Sequence, residues 1–312
     1  PAATRPVARV AVDTPLPPLD RPFDFRVPES LDEAAVPGCR VRVRFNGQTL
    51  DGFLLERVDE SDFPGRLSYL HRVVSPEPVL TPEIAELARA VADHYAGTLS
   101  DVLRLAVPPR HARVEQEDPA APAEPPAPPD DVGPWSDYPA GRAFLAALRA
   151  DRAPRAVWTA LPGPHWCDAV ALAAHTALAA GRGVLVVAPD GRDVARLDAA
   201  LAERLGPGRH VALTADLGPA ERYRRWLSVL RGRVRAVVGT RAAMFAPVRE
   251  LGLVVLWDDG DDVHSDPHAP YPHARTVLSL RAHRCRAAAL FGSFTRTAEG
   301  ALLVESGWAH PI

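Results

Sequence analysis

The sequence predicts two domains of different fold class: a small α+β, β-barrel-like domain over residues 1–113 and a doubly wound parallel α/β domain over residues 138–312. Three observations support this prediction. Short segments with alternating apolar residues fill the start of the chain, apolar strands alternate with helices at its end, and an acidic segment rich in proline and alanine separates them. The chain has 312 residues, 47% of them hydrophobic, so each domain can bury a core of its own.

Strand patterns dominate the small domain. An Asn46-Gly47 turn is expected to join two of its strands as a hairpin, because this pair favours tight turns. Thr81 followed by Pro82 predicts the start of a helix, and a second helix is expected from about Leu99 to Ala106. The segments with alternating apolar residues, or directly after the turn, are VARVAVD (7–13), FDFRV (23–27), CRVRVRF (39–45) and GFLLERV (52–58).

Residues 114–137 are predicted to be a linker. They carry seven acidic and no basic residues, whereas residues 138–312 carry 22 arginines against 16 acidic residues. Residues 114–134 contain no large apolar group that could offset the entropy of ordering. We therefore expect a stiff, extended and disordered connection.

The second domain is predicted from strands that are apolar throughout, which is typical of a parallel sheet covered on both faces. Ligands of such domains bind at the turns that follow the strands. The strands read AVWTAL (156–161), GVLVVAP (183–189), HVALTA (210–215), RAVVGT (235–240), LGLVVLWDD (251–259) and AAALFGS (287–293).

The composition excludes several functional classes. No run of 18 apolar residues and no signal segment occurs, so a cytoplasmic protein is expected. Cys39, Cys167 and Cys285 form no CxxC pair, which argues against a zinc site or a disulfide framework. The chain has no lysine, so all 36 basic residues are arginine and any mechanism that needs an ammonium group is excluded.

The turn LPGPHWCDA (161–169) lies where an α/β domain of this type binds a nucleotide phosphate. A phosphate-binding loop needs glycine N–H groups, a lysine and a hydroxyl group for Mg²⁺. Here Gly163 is flanked by prolines, and His165, Trp166 and Cys167 follow. Without the ammonium charge, we expect no ATP hydrolysis.

The segment LVVLWDDGDDVHSDPHAPYPH (253–273) is rich in acids and histidines. A Walker-B strand would end in an acid that holds Mg²⁺, but Trp257 takes that place and Asp258 follows. The carboxylates and imidazoles could instead form a divalent metal site, but no fixed ligand spacing occurs and we predict no metal.

Two arginine-containing segments allow either a structural or a functional interpretation. VVGTRAAMFAP (237–247) is a structural turn, or it presents Arg241 and a helix N-terminus to a phosphate backbone. ERYRRWLSVLRGRVR (221–235) is a nucleic-acid face or, as we favour, an amphipathic helix with Trp226, Leu227 and Leu230 in the core.

These segments together resemble the family of primosomal protein N′, the PriA replication restart helicases. The resemblance implies a 3′-DNA-end binding domain at residues 1–113 and a RecA-like helicase lobe at residues 138–312. It is carried by FDFRVP (23–28) with PGCRVRVRFNG (37–47), by VVSPEPVLTPEIAELARAVADHYAGTLSDVLRLAVPP (73–109), and by VVGTRAAMFAPVRELGLVV (237–255).

Set against the family pattern, the nucleotide elements are degenerate, as in an actinobacterial form that has lost helicase activity. The resemblance implies a non-catalytic chain that binds neither ATP with Mg²⁺ nor the family's two zinc ions. No zinc-binding cysteines or second motor lobe follow, so the chain is expected to be the N-terminal part of a longer protein. The family's adenine-reading glutamine falls on Gly141, its Walker lysine on Trp166 and the hydroxyl residue that follows on Cys167. Its Mg²⁺-binding aspartate, water-activating glutamate and DExH histidine fall on Trp257, Asp258 and Gly260, and its Ser-Ala-Thr motif on Ser293-Phe294-Thr295.

The resemblance also implies a pocket for the terminal nucleotide of a nascent strand. Phe23, Asp24 and Phe25 should form it, with the Asn46-Gly47 turn at its rim. An aspartate can accept a hydrogen bond from a 3′-hydroxyl, and an aromatic ring can stack on a base. Alternatively, Asp24 anchors a turn and both phenylalanines are core residues.

Other family positions and contacts are less direct. A lysine of the family pocket falls near Ser68, with Arg66 or Arg72 as substitutes. Candidate contacts to the DNA backbone are Arg40, Arg42 and Arg44 on one strand face, together with Arg241.

The expected function is that of a DNA-binding replication restart protein without helicase activity. It would recognise stalled forks and nascent 3′ ends and help assemble the primosome that reloads the replicative helicase. Its expected partners are branched DNA, primosome proteins, the helicase loader and single-strand binding protein, at the nucleoid. The alternatives are a divergent ATPase or metal-dependent hydrolase that uses residues 258–273, and a protein scaffold that no longer binds DNA.

Overall fold

A computed structural model describes residues 1–118 and 121–312 and divides the chain into two compact units, Pro1–Pro108 and Pro109–Ile312. Each unit has its own sheet, antiparallel in the first and parallel in the second. The predicted combination of an α+β and a parallel α/β fold is therefore confirmed. None of the helices within the described residues is long and apolar enough to cross a membrane.

The first unit is built on a five-stranded sheet in the order β2-β1-β4-β3-β5. The backbone N–H of Arg26 donates to Ser68 and its carbonyl accepts from Leu70, both at 2.8 Å. These bonds join the end of β2 to the stretch before β5, so the two edges of the sheet meet and the predicted barrel-like form is confirmed. The strands are β1 (Val7–Val12), β2 (Phe23–Arg26), β3 (Arg40–Phe45), β4 (Gln48–Val58) and β5 (Arg72–Ser75).

The β3–β4 hairpin follows directly from its sequence. Val41 and Val43 are fully buried, whereas the arginines that alternate with them point outward. Asn46 and Gly47 have φ values of 48° and 78°, the left-handed backbone that a two-residue type I′ turn requires. The turn fixes the hairpin register and thereby places the end of β3 at the rim described below.

Two helices close the first unit, α1 (Pro82–His94) and α2 (Leu99–Ala106). The hydroxyl of Thr81 accepts a hydrogen bond from the N–H of Ile84 at 3.2 Å, so the predicted N-cap is present. Thr98 caps α2 in the same way. The apolar residues at helical spacing along α1 are buried, as expected of an amphipathic helix.

Gly38 connects the sheet to the segment that leads into α1. Its N–H donates to the carbonyl of Leu54 at 2.7 Å, and its own carbonyl accepts from the N–H of Leu80 at 3.1 Å. Its φ is +86°, and a Cβ atom there would collide with the carbonyl oxygen of Leu80. Only glycine satisfies both the dihedral angle and the close approach.

The second unit is a seven-stranded parallel sheet in the order β12-β6-β11-β10-β7-β9-β8. Its central strands are buried on both faces, because helices cover each side. The strands are β6 (Arg155–Thr159), β7 (Gly183–Val187), β8 (His210–Leu213), β9 (Ala236–Gly239), β10 (Leu251–Trp257), β11 (Ala288–Ser293) and β12 (His310–Pro311). The helices are α3 (Ala112–Glu115), α4 (Gly141–Arg149), α5 (Trp166–Ala179), α6 (Gly191–Leu205), α7 (Pro219–Leu230), α8 (Ala274–Cys285) and α9 (Ala298–Glu305).

The acidic segment differs from the disordered connection that its composition predicts. Pro119 and Ala120 lie outside the described residues, but the residues on either side contact the second unit. Proline-rich backbone loses little entropy when it is ordered, and arginines on the unit pair with the acidic groups. The Tyr223 hydroxyl donates to the carboxylate of Glu115 (2.6 Å), and the guanidinium of Arg224 donates to that of Glu117 (2.6 and 2.7 Å). The N–H of Ala123 donates to the carbonyl of Arg233 (3.0 Å), and Nε2 of His175 lies 2.7 Å from the carbonyl oxygen of Ala127.

A substitution at Gly38 tests the connection between the sheet and α1. Gly38→Ala should destabilise the first unit by more than the roughly 1–2 kcal/mol that a left-handed backbone costs an L-residue, because the new methyl group also meets Leu80. Hydrogen exchange of the β3 and β4 amides measures this loss. Gly47→Ala is the matched control, since its φ is also positive but nothing lies within 4 Å of the added Cβ. Equal effects of the two substitutions would contradict the steric part of this account.

Candidate functional site

A pocket of about 870 Å³ opens on the outer surface of the first unit. Phe23, Asp24, Phe25 and Asn46 line it, so the barrel brings together four of the five residues predicted for 3′-end binding. The fifth, Gly47, provides part of the left-handed turn that carries Asn46. The segment between β4 and β5 lies next to β2 and also lines the pocket.

The two phenylalanines of β2 differ in burial. Phe25 is only 4% exposed and belongs to the core of the barrel, as the structural interpretation of the sequence proposed. Phe23 is half-buried and packs edge-on against Phe45, with ring centroids 4.6 Å apart. The guanidinium of Arg21 lies 4.6 Å from the centre of the Phe23 ring. Phe23 is therefore the less buried ring of this pair, with the guanidinium of Arg21 over it.

Asp24 lies on the outward face of β2 and has two partners. The hydroxyl of Ser61 donates to one carboxylate oxygen at 2.5 Å, and the Nε of Arg9 lies 3.6 Å from the other. Arg9 also binds Glu56 at 2.9 Å and lies 3.6 Å from Asp62, and its hydrogen bond to Glu56 raises the pKa of the guanidinium. One arginine thus faces three carboxylates. This end of the pocket can accept hydrogen bonds from a neutral donor and repels an additional anion.

Arg9 and Ser61 were not among the residues predicted from the sequence. The alternation in β1 places Arg9 on the outer face, but only the register of β1 with β2, in which Arg9 is opposite Asp24, shows that it belongs to the site. Ser61 lies on an irregular segment with no recognisable motif. Neither position carries a signal that can be recognised without the register.

The remaining cations of the pocket are Arg21, Arg44 and Arg66. None of the three makes an ion pair within the part of the chain that the structure describes. Ser68, at the position of the family's lysine, also lines the pocket together with Arg66, whereas Arg72 lies on β5 opposite Arg42. Of the two suggested substitutes for that lysine, Arg66 is the one in the pocket.

The three arginines of β3 are not equivalent, although all were predicted as contacts to the DNA backbone. Arg40 donates to the carbonyl of Pro108 and lies over the ring of Phe53, 5.2 Å from its centre. Arg42 binds Asp51 across the hairpin, with Nε and Oδ1 2.6 Å apart. Among the three, Arg44 at the pocket rim makes no ion pair with any residue in 1–118 and 121–312, and Thr49 rather than Asp51 lies opposite it in the hairpin register.

In the second unit, the turn between β6 and α5 carries an aromatic stack. Trp166, in the first turn of α5, lies parallel to Trp257 at the end of β10, with ring centroids 3.9 Å apart and an interplanar angle of 4°. The two indoles are 5% and 2% exposed, and Phe294 meets Trp257 edge-on at 5.2 Å. The side chains at the predicted lysine and Mg²⁺ positions therefore face each other within the core.

The other residues of this turn offer little to a phosphate. Gly163 has a φ of 133° and lies between two prolines, which have no N–H to donate. His165 is exposed, 3.7 Å from Asp168. Burial raises the pKa of the Cys167 thiol to about 12, so this group stays neutral.

The acidic loop after β10 is held by contacts within the second unit. Asp259 is buried and accepts hydrogen bonds from Arg275 at 2.5 Å and from Thr297 at 2.7 Å. Asp258 has a φ of 54°. Burial, and to a lesser extent repulsion from Asp261, raises the pKa of its carboxyl group. No group of three histidine, cysteine or acidic side chains that could hold a metal occurs in residues 1–118 and 121–312.

The two arginine-containing segments make contacts within the second unit. Arg241 donates to the carbonyl of Val263 at 2.7 Å and lies 3.4 Å from Asp266, so it contacts the acidic loop. In α7, Trp226, Leu227 and Leu230 are buried, as in the amphipathic interpretation that the sequence favoured.

Comparison with known proteins agrees with the division of the chain. A family model described as the 3′ DNA-binding domain of PriA matches residues 9–108. The chain is 56% identical over 297 residues to the probable replication restart protein PriA of Mycobacterium tuberculosis, which covers 95% of the chain and 45% of that protein. The protein of Mycobacterium leprae with the same name is 54% identical over 301 residues, and the PriA of Treponema pallidum is 26% identical over 294 residues.

Solved structures resemble the chain only weakly. The helicase domain of Pyrococcus furiosus Hef has a TM-score of 0.39 and 17% identity, and covers 54% of this chain and 36% of its own. The DUF1998 helicase MrfA has a TM-score of 0.40 and 12% identity, with coverages of 59% and 33%.

The barrel with its pocket coincides with the segment that matches the 3′ DNA-binding domain of PriA. Over 95% of its length the chain is similar to replication restart proteins named PriA, as the sequence motifs predicted. It spans 45–46% of the length of its mycobacterial relatives.

His273 provides a test of the loop in the second unit. Its Nδ1 caps α8 by accepting from the N–H of Arg275 at 3.1 Å, and burial lowers the pKa of the imidazole to about 4. Because the unfolded chain binds this proton near pH 6.5, the stability of the second unit should fall as the pH drops from about 6.5 to about 4.

Chemical denaturation across this pH range measures the effect. His273→Asn keeps an acceptor at the N-cap and should flatten the pH dependence, whereas His165→Asn, at an exposed histidine, should leave it unchanged. An unaltered pH profile in His273→Asn would show that another group is responsible.

Proposed function

We propose that this chain recognises stalled or abandoned replication forks by binding the 3′ end of a nascent DNA strand in the pocket of the first unit. The observation that carries the proposal is the position of Asp24. Its carboxylate lies on the pocket wall beside the accessible ring of Phe23, with Arg44 at the rim. The family match over residues 9–108 supports the same assignment.

The chemistry of the pocket favours a free 3′-hydroxyl over a 3′-phosphate. A hydroxyl can donate to Asp24, as the Ser61 hydroxyl does in the unbound protein. A phosphate in the same place would face Asp24, Glu56 and Asp62, which together outnumber the single positive charge of Arg9. Phe23 is placed to stack on the terminal base.

The biological role follows from the family. The relatives are replication restart proteins, and we infer that this chain contributes to primosome assembly and to reloading of the replicative helicase at the nucleoid. Primosome proteins, the helicase loader and single-strand binding protein are the partners that this role requires.

We further infer that the second unit does not hydrolyse ATP and that the chain needs no cofactor. The absence of lysine from the sequence and the buried stack of Trp166 on Trp257 support this inference. A triphosphate bound there would lack the cation that offsets charge in the transition state. The α/β unit then serves as a rigid support or a platform for partners.

The 3′-hydroxyl preference can be measured with labelled fork DNA. The full chain should bind forks with a 3′-hydroxyl on the nascent strand at least about tenfold more tightly than forks with a 3′-phosphate, since a hydrogen bond to a charged group contributes about 1.5–3 kcal/mol. Asp24→Asn, which keeps the shape and removes the charge, should reduce this preference. Titration by fluorescence anisotropy gives both affinities.

Asp59→Asn is the matched control, because Asp59 is exposed, lies on the same unit outside the pocket wall and undergoes the same change of charge. It should leave the ratio of affinities unchanged. Equal binding of hydroxyl and phosphate ends by the unaltered protein would exclude the proposed 3′-end pocket.

Phosphate release decides between this proposal and the enzymatic alternative. The full chain should release no phosphate from ATP with Mg²⁺ in the presence of fork DNA, and calorimetry should detect no binding of the nucleotide. If release is observed, Asp258→Asn and Trp166→Ala identify its source. Activity unaffected by either substitution comes from a contaminant, whereas activity lost in Asp258→Asn would establish a divergent ATPase.

A further inference from the structure

Phe63 is an exposed aromatic residue on the wall of the DNA-end pocket. Phe63 is 55% exposed, although it lines the same pocket as Phe23 and Asp24. The ring lies across Gly65, where an added Cβ atom would be 2.5 Å from the ring carbon Cε1. Glycine at position 65 therefore allows the ring to occupy this place.

The volume of the pocket bears on how much of a DNA strand it can hold. Sites for small molecules measure roughly 300–1,000 Å³, and this one, at about 870 Å³, lies near the upper end of that range. A terminal nucleotide bound between Phe23 and Asp24 would leave part of the pocket open on the side of Phe63. The strand that ends in the pocket must also leave it past one of its walls.

A short chain of hydrogen bonds fixes Phe63 relative to Asp24. The hydroxyl of Ser61 donates to Asp24 at 2.5 Å, and the same oxygen accepts from the backbone N–H of Phe63 at 3.1 Å. The residue proposed to accept the 3′-hydroxyl thus also anchors the segment that carries Phe63. Single exposed apolar residues are common on protein surfaces, but the backbone of this one is linked to Asp24 by hydrogen bonds through Ser61.

Two unpaired cations flank the same space. Arg44, at the end of β3, and Arg66, on the segment after Phe63, both line the pocket. Neither makes an ion pair with any residue that the structure describes. Arginines without carboxylate partners beside an open aromatic ring match the chemistry of a nucleotide, which has a phosphate and a base with two π-faces.

We propose that Phe63, Arg44 and Arg66 form a second subsite, which binds the penultimate nucleotide of the DNA strand. The base of that nucleotide stacks on Phe63, and the phosphate that joins it to the terminal nucleotide lies between the two arginines. This proposal rests on the proposed function, because it assumes that the terminal nucleotide occupies the pocket. With this subsite, the pocket recognises the last two nucleotides of the strand.

A cycle that combines protein and DNA changes tests the subsite. The full chain is titrated with 5′-labelled DNA that ends in a single-stranded 3′ tail and carries either a base or an abasic residue at the second position from the 3′ end. With the base present, Phe63→Ala should weaken binding between about 5-fold and about 150-fold, the range of base–aromatic stacking. The abasic residue should weaken binding to the unaltered protein similarly and should cause no further loss in Phe63→Ala.

Three controls accompany the cycle. Phe63→Trp should retain the affinity because it keeps a stacking surface, and Phe294→Ala, at a comparably exposed phenylalanine of the second unit, should have no effect. An abasic residue at the sixth position should be tolerated. Arg44→Gln and Arg66→Gln should weaken binding with or without the base, and the two together should lower the salt dependence of binding by about one phosphate contact.

The outcomes separate the subsite from the function on which it rests. If the penultimate abasic residue costs nothing, or if its cost adds fully to that of Phe63→Ala, the subsite is wrong. The 3′-hydroxyl preference, measured on the same DNA, should persist in Phe63→Ala when only stacking has been lost. If the unaltered protein shows no preference for a 3′-hydroxyl, the 3′-end function itself is overturned.

Discussion

The candidate site depends on the closure of the five-stranded sheet. Two backbone hydrogen bonds tie Arg26 to Ser68 and Leu70, each 2.8 Å long, and bring the edges β2 and β5 together. Without this closure, Asp24 and Phe23 would lie on an open edge strand. The segment from Ser61 to Ser68 would then not be held against that strand. Closure removes the unpaired strand edge and creates a concave wall in the same step.

The two units deal with charge in opposite ways. In the first, Arg9 faces three carboxylates at one end of the pocket, while Arg21, Arg44 and Arg66 stand without carboxylate partners among the described residues at its other walls. The pocket therefore has a carboxylate-rich end and an arginine-rich part. In the second unit, the edge of the sheet where ligands usually bind carries a buried stack of two indoles. The barrel thus has a pocket lined by charged side chains, whereas the ligand-binding edge of the α/β sheet has packed aromatic rings.

Local sequence signals predicted much of the fold. The alternation of β3, the Asn46-Gly47 turn and the cap at Thr81 each depend on residues that are neighbours in sequence, and all three are present. The pocket was foreseen in part, because the motif around Asp24 resembles a known family.

The features that were missed depend on contacts between segments far apart in the chain. Arg9 joins the site only through the register of β1 with β2, and Asp51 pairs with Arg42 only through the register of the hairpin. The acidic segment was expected to be disordered, but arginines and backbone groups of the second unit provide partners for it. Composition indicates that such a segment can remain solvated, but it does not reveal a complementary surface elsewhere.

The aromatic cluster of the second unit has a consequence for spectroscopy. All six tryptophans lie between residues 135 and 308, so the barrel contains none. Light absorbed selectively by tryptophan therefore reports on the α/β unit alone, and the barrel contributes no such emission. Tryptophan fluorescence can therefore follow the folding of the second unit separately from that of the barrel, without an attached dye.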